Sequence, residues 1–219
     1  MPLPMRKLRT IEMNRLSIEE FKEAEKLPLV VVLDDVRSLH NVGSVLRTCD
    51  AFRAEAVYMC GITATPPQPE IHKTALGAED SVSWRYFKTA EEAVRELQAN
   101  GYQVYAIEQA EGSTMLQEVR KARSQEDKKS SSFPPLGEVR RGFQGVKKSG
   151  SQGGQKYAVV LGNEVKGVHQ SVVDLCDNCL EIPQYGTKHS LNVSVTAGIV
   201  VWEFFNKCSR LQANHHPEK

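Results

Sequence analysis

Three short polar clusters hold the residues best suited to chemistry. In "HNVGSVLR", His40 to Arg47, residues Gly43 and Ser44 share a helical face with Arg47 by the i, i+3 and i, i+4 rule. An Arg on a helix is ordinarily a solvated charge. Set over a turn slimmed by Gly43, its planar fork also suits a bidentate grip on phosphate. Asn41 can cap that helix. In "LGNEVKG", Leu161 to Gly167, glycines on both sides of Asn163 and Glu164 permit close backbone approach and positive φ. Taken alone this is a plain turn. It lacks the spacing of a dinucleotide fingerprint and the hydroxyl residue that follows the Lys of a Walker A loop. In "IPQYGTKHSLN", Ile182 to Asn192, residues Ser190 and Asn192 flank Leu191 at a helix start. One capping residue would suffice there, so two polar side chains suggest a helix start that also holds a ligand.

Other chemistries find little support. Ser190 and His189 are adjacent, so their side chains diverge and do not make a nucleophile–base pair. His40 and His72 have no metal-ligand spacing to Glu or Cys partners. The five cysteines, Cys49, Cys60, Cys176, Cys179 and Cys208, are odd in number and scattered, which reads as reduced thiols. Cys176 and Cys179 form one CxxC that runs into a short strand, with no second pair to complete a zinc site. No metal is expected. No apolar run approaches a membrane span and no signal-peptide pattern opens the chain, so a cytoplasmic protein with no membrane partner is expected.

Charge is informative in its distribution. The 219 residues carry a net charge of only +1. The stretch from Arg120 to Lys156 has ten basic and three acidic residues, and Arg6, Lys7, Arg9 and Arg15 cluster near the start. Such basic segments fit a phosphate-binding surface and fit a solvated tail equally well.

The elements that must position the clusters alternate. "LVVVLDDV", "AEAVYMCG", "SVSWRYF", "YQVYAIEQ", "YAVVLG" and "NCLEIP" read as strands, mostly apolar enough to be buried on both faces. Helices are expected over Ser17–Leu27, ended by Pro28, and over "NVGSVLRTCDAF", "PEIHKTALGAED" with a break near Gly77, "TAEEAVRELQANG" and "HQSVVDLC". A last helix starts at Ser190, with Val195, Ile199, Val200, Trp202 and Phe205 expected on its buried face. This is an α/β fold with a mostly parallel sheet covered by helices on both faces. The expected organisation is a helical N-terminal extension over 1–27, a main domain over 28–209, and a flexible tail over 210–219. Within the domain, 120–155 reads as a low-complexity, disordered insertion. Each polar cluster falls where a strand ends, which is where open α/β sheets bind ligands.

In this order, the clusters resemble the three motifs of the SpoU (TrmH) branch of the SPOUT RNA methyltransferases. Asn41 and Arg47 match the first motif, "LGNEVKGV" the second, and "IPQYGTKHSLNVSVTAGIVVWE" the third; the resemblance spans roughly Leu29 to Asn206 without the insertion. It implies methyl transfer from S-adenosylmethionine (AdoMet) to a ribose 2′-hydroxyl of tRNA or rRNA. It also implies a C-terminal trefoil knot, a threading rare among proteins, and a homodimer with the active site at the subunit interface. By the same resemblance the catalytic set is Arg47, Asn41, Glu164, Ser190 and Asn192. The cofactor is expected at Gly162, Asn163, Gly167, Ile182, Pro183, Gln184, Gly186, Ser190, Leu191 and Val193, with Gly186 giving the backbone room to turn and Ser190 and Asn192 capping the last helix. Asn41 and Glu164 would hold Arg47 and the ribose in register. RNA grip would come from the N-terminal extension, the basic insertion or the dimer surface, and the lack of an added RNA domain tilts the substrate toward tRNA. A catalytically silent RNA-binding relative is the alternative. A nucleotide-dependent oxidoreductase shares the α/β pattern but lacks the glycine fingerprint.

Overall fold

A computed structural model describes residues 6–13, 15–120 and 155–209. The expected disordered insertion over 120–155 falls almost wholly outside these residues, and the expected tail over 210–219 does so entirely. Among them seven strands form one sheet in which every pairing is parallel. In chain order the strands are β1 (Leu27–Asp34), β2 (Ala54–Cys60), β3 (Trp84–Phe87), β4 (Tyr102–Ile107), β5 (Thr114–Met115), β6 (Lys156–Leu161) and β7 (Asn178–Glu181). Across the sheet they lie β3-β2-β1-β6-β4-β7-β5. The sequence pattern missed only β5, whose two residues are too few to show a period.

The helices are α1 (Ile18–Glu23), α2 (Leu39–Ala51), α3 (Pro69–Ala75), α4 (Ala78–Ser81), α5 (Ala90–Ala99), α6 (Gln170–Val173) and α7 (Val193–Ser209). Both sheet faces are covered. Leu29, Val31 and Leu33 of β1 and Val159 and Leu161 of β6 pack under α2, α3 and α7. The alternate residues Val30, Val32, Ala158 and Val160 pack under α5 and α6. That two-sided burial is why the strands read as continuous apolar runs. No helix among the described residues is long and apolar enough to cross a membrane.

Three expectations need correction. The first helix stops at Glu23 rather than Leu27, because the Leu27 amide donates to the Arg53 carbonyl at 2.8 Å and starts β1, in which Pro28 is the second residue. Gly43 does not slim a ligand-facing turn: a Cβ there would lie 2.1 Å from Thr74 Oγ1 and 2.3 Å from the Ile71 carbonyl, so the glycine lets α2 approach α3. The buried face of α7 is Val193, Ala197, Val200, Val201, Phe204 and Cys208. Val195, Ile199 and Trp202, expected in the core, are 50%, 37% and 50% exposed, while Phe205 is only partly buried. The helix is apolar nearly all round, so periodicity alone could not say which side meets the sheet.

Candidate active site

The carboxyl ends of β4, β6 and β7 and the approach to α7 enclose a cavity of about 440 Å³, within the size range of small-molecule sites. One wall is the turn after β6. Its Asn163 and Gly167 exchange backbone hydrogen bonds of 3.0 and 2.9 Å, and the Asn163 side chain accepts from the amides of Val165 and Lys166. Gly167 takes φ +70°, and a Cβ on Gly162 would come within 2.0 Å of the Gly167 carbonyl carbon. Both glycines are therefore required by the turn itself. The turn is tied back to the sheet by Asn163 Nδ2 on the Asp35 carbonyl at 2.7 Å, and by His169, whose amide and Nδ1 both meet Asp34 Oδ2 at 3.0 and 2.9 Å. Asp34, Asp35 and His169 present ligand-type atoms within 4.8 Å of one another. Two of them are already paired as this structural tie.

Glu164 joins the first and second clusters. Its Oε2 accepts from the Arg37 amide at 3.1 Å, and its Oε1 from the Ser38 amide and Asn41 Nδ2, both at 3.0 Å. Asn41 Oδ1 in turn accepts from Asn192 Nδ2 at 3.2 Å, which brings in the third cluster. One continuous hydrogen-bonded chain thus links segments more than a hundred residues apart. Burial works to raise the Glu164 pKa. The amides of Arg37 and Ser38 and the Asn41 side chain outweigh it, and the carboxyl sits below its ordinary value of 4.5.

Local details differ from expectation. Ser38 caps α2, accepting from the Asn41 amide at 3.3 Å, so Asn41 is free to bridge Glu164 and Asn192. Asn192 caps α7: its Oδ1 accepts from the Ser194 amide at 2.9 Å, and its carbonyl accepts from the Thr196 amide. Ser190 lies two residues before the cap and lines the cavity instead. Glu164 and Asn41 hold each other and not Arg47.

Of the expected cofactor residues, Gly162, Asn163, Gly167, Ile182, Gln184, Ser190, Leu191 and Val193 line the cavity, as do Glu164 and Asn192. Pro183 and Gly186 lie on the same loop without lining it. Gly186 has no positive φ, and a Cβ there would meet open space, so nothing in the turn demands a glycine. The sequence reading missed Glu108 and Gln109, which follow β4 and line the cavity. Their position at a strand's carboxyl end was the available signal.

Arg47 stands elsewhere in the single chain. It is exposed and lines a second depression of about 520 Å³, with Ser44, Thr48, Phe52, Lys73, Thr74 and Gly198. It has no carboxylate partner among the described residues. An exposed apolar stripe starts at Leu191, which lines the cavity before α7 begins, and continues along α7 through Val195, Ile199 and Trp202, where Trp202 packs on Phe52 of the second depression at 5.8 Å between ring centroids. None of the five cysteines is in a disulfide, and burial pushes the thiols of Cys49, Cys60 and Cys176 up to about 12, so these three are not poised as thiolates.

Comparison with known proteins adds to this geometry. The model of the family described as "SpoU rRNA Methylase family" matches residues 28–202. A Thermus thermophilus tRNA (guanosine(18)-2′-O)-methyltransferase is 28% identical over 192 residues, covering 88% of this chain and 81% of that protein. The chain spans 63% of the length of a Staphylococcus saprophyticus protein described as a TrmH family tRNA/rRNA methyltransferase, at 26% identity. Among solved structures, the A. aeolicus TrmH/SpoU tRNA modifying enzyme superposes with a TM-score of 0.67 at 22% identity, covering 92% of this chain and 87% of that one. An AdoMet-bound rRNA methyltransferase from Sinorhizobium meliloti superposes with a TM-score of 0.61 at 22% identity, covering 83% and 60%. At these identities the structural matches speak for the fold.

Proposed function

Because the chain belongs to the SpoU rRNA methylase family, we propose that it transfers a methyl group from AdoMet to a ribose 2′-hydroxyl of tRNA or rRNA, with tRNA favoured. The observation that carries this reading is the convergence of the three clusters through the Glu164–Asn41–Asn192 chain onto one cavity. The cavity's size, and a lining that includes the Gly162–Gly167 turn, Ile182 and Leu191, fit AdoMet. AdoMet supplies an electrophilic methyl group on a sulfonium centre. The residues of the chain supply position. Main-chain groups at Gly162, Ile182 and Leu191 read the adenine, and Glu164 and Asn41 fix the two turns that frame the reacting end.

A ribose hydroxyl is a weak nucleophile near neutral pH and loses its proton as it attacks in line. A guanidinium is too basic to take that proton. Arg47 therefore acts as a clamp on the target phosphate and stabilises the developing alkoxide charge, while the proton leaves through a phosphate oxygen or water. In one chain Arg47 lies outside the cofactor cavity, so a homodimer is part of the proposal. The exposed apolar stripe starts at Leu191 on the cavity rim and continues along α7 to Trp202, which packs on Phe52 of the Arg47 depression. A second copy seated on that stripe covers it and brings Arg47 of one subunit to the cavity of the other. Basic residues between Arg120 and Lys156 add phosphate contacts to the RNA. No metal takes part.

The position of Arg47 is also the observation that favours the second reading, a silent RNA-binding relative. Incubation with methyl-labelled AdoMet and, separately, bulk tRNA and rRNA decides between them. Label in tRNA is expected. AdoMet binding with no label in either RNA favours the silent relative.

A further inference from the structure

We propose that Glu108 reads the cofactor's sugar: its carboxylate accepts hydrogen bonds from the vicinal ribose hydroxyls of bound AdoMet. This rests on the proposed assignment of the cavity to AdoMet and deepens it. Glu108 directly follows β4, between the ends of β6 and β7, at the carboxyl edge where parallel sheets receive ligands. Its backbone is fixed on both sides, by its amide on the Leu180 carbonyl at 3.1 Å and by Cys179 Sγ on its own carbonyl at 3.4 Å. The side chain is fixed as well. Oε2 accepts from the Val168 amide at 3.1 Å and Oε1 from the Gln109 amide at 2.9 Å. It lies over Gly167, where an added Cβ would come within 2.0 Å of Oε2, so the carboxylate fills the place a side chain would take.

An ionised carboxylate offers about four acceptor sites, two on each oxygen. The two backbone amides use one on each, which leaves one on each oxygen for a ligand. No Lys, Arg or His among the described residues pairs with it as a cation. A fixed carboxylate with one open acceptor per oxygen is matched by two neighbouring hydroxyl donors, the chemistry by which acidic residues hold a nucleoside ribose in dinucleotide folds. The placement agrees. Gly162, assigned to the adenine, packs directly on Gly167, against which Glu108 lies, so the sugar attached to the adenine falls next to the carboxylate.

The test is calorimetry on the full chain with AdoMet, 5′-methylthioadenosine and its 2′-deoxy and 3′-deoxy counterparts, for the wild type and Glu108→Gln. Methylthioadenosine keeps the ribose and lacks the amino-acid end. The wild type is expected to bind it about tenfold or more tightly than either deoxy analogue, as for a hydrogen bond to a charged acceptor. In Glu108→Gln that ratio falls toward one. A wild type that binds AdoMet but does not distinguish ribo from deoxy ligands overturns the inference and leaves the cofactor assignment standing. A variant that weakens all ligands equally, with the ratio kept, shows that Glu108 only braces the Gly167 turn. A loss seen with AdoMet and not with methylthioadenosine assigns the carboxylate to the ammonium group and overturns it too. Failure of the wild type to bind any of these ligands removes the cofactor assignment itself.

Discussion

Replacing Glu164 with Ala removes the acceptor of three hydrogen bonds, from the Arg37 and Ser38 amides and from Asn41 Nδ2. Bonds of this charge-assisted kind contribute about 1.5–3 kcal/mol each where they are shielded. Glu164 is exposed and the two amides lie at the surface, so water replaces much of what is lost and solvent screening cuts the rest. A net cost of about 1–2 kcal/mol is expected, and for a chain of this size that lowers Tm by about 2–8 °C. The pH dependence is the sharper test. The folded pKa of Glu164 lies below its ordinary 4.5, so its contribution is fully present above 4.5 and is lost as the pH falls through the lower, folded value. Thermal unfolding followed by circular dichroism from neutral to acid pH should show a wild-type advantage that closes on the acid side of 4.5. A variant as stable as wild type at neutral pH, or a gap that stays constant into acid, refutes the assignment of Glu164 as the staple between the two turns.

Two further substitutions probe the cavity and the stripe. In Gly162→Ala the new Cβ would meet the Gly167 carbonyl carbon at 2.0 Å and the Val168 nitrogen at 2.1 Å; both are backbone, so the turn must open, and AdoMet affinity by calorimetry should fall about tenfold or more. Ile199→Asp places a charge in the middle of the exposed α7 stripe, away from the cavity. Light scattering should report a monomer that still binds AdoMet and has lost most methyl transfer.

Strands buried on both faces were legible because their apolar runs leave no polar side. The polar clusters were legible because they interrupt those runs at strand ends. What the sequence left open concerns direction. The α7 pattern is apolar around most of its circumference, so Val195, Ile199 and Trp202 could not be separated from the true core positions Val193, Ala197, Val201 and Phe204 by spacing. Gly43 was visible as a small residue, but only the structure shows the Ile71 carbonyl against it. Asn41 was recognisable as a polar residue at a helix start, yet whether it caps the helix or bridges two distant loops depends on a contact 123 residues away in the chain, with Glu164. Glu108 and Gln109 stand at a strand's end, but a Glu–Gln pair there is an ordinary loop opening until the neighbouring strands are placed beside it.

The most direct measurement is the chemical identity of the product. RNA modified with methyl-labelled AdoMet is digested to nucleosides and analysed by mass spectrometry, for the wild type, Arg47→Ala and Arg47→Lys. Label on the ribose as a 2′-O-methyl nucleoside is expected from the wild type. Both variants should keep AdoMet binding and lose turnover, because Lys retains the charge but not the planar fork. Label on a base, or near-wild-type turnover by Arg47→Lys, would contradict ribose methylation through an arginine clamp.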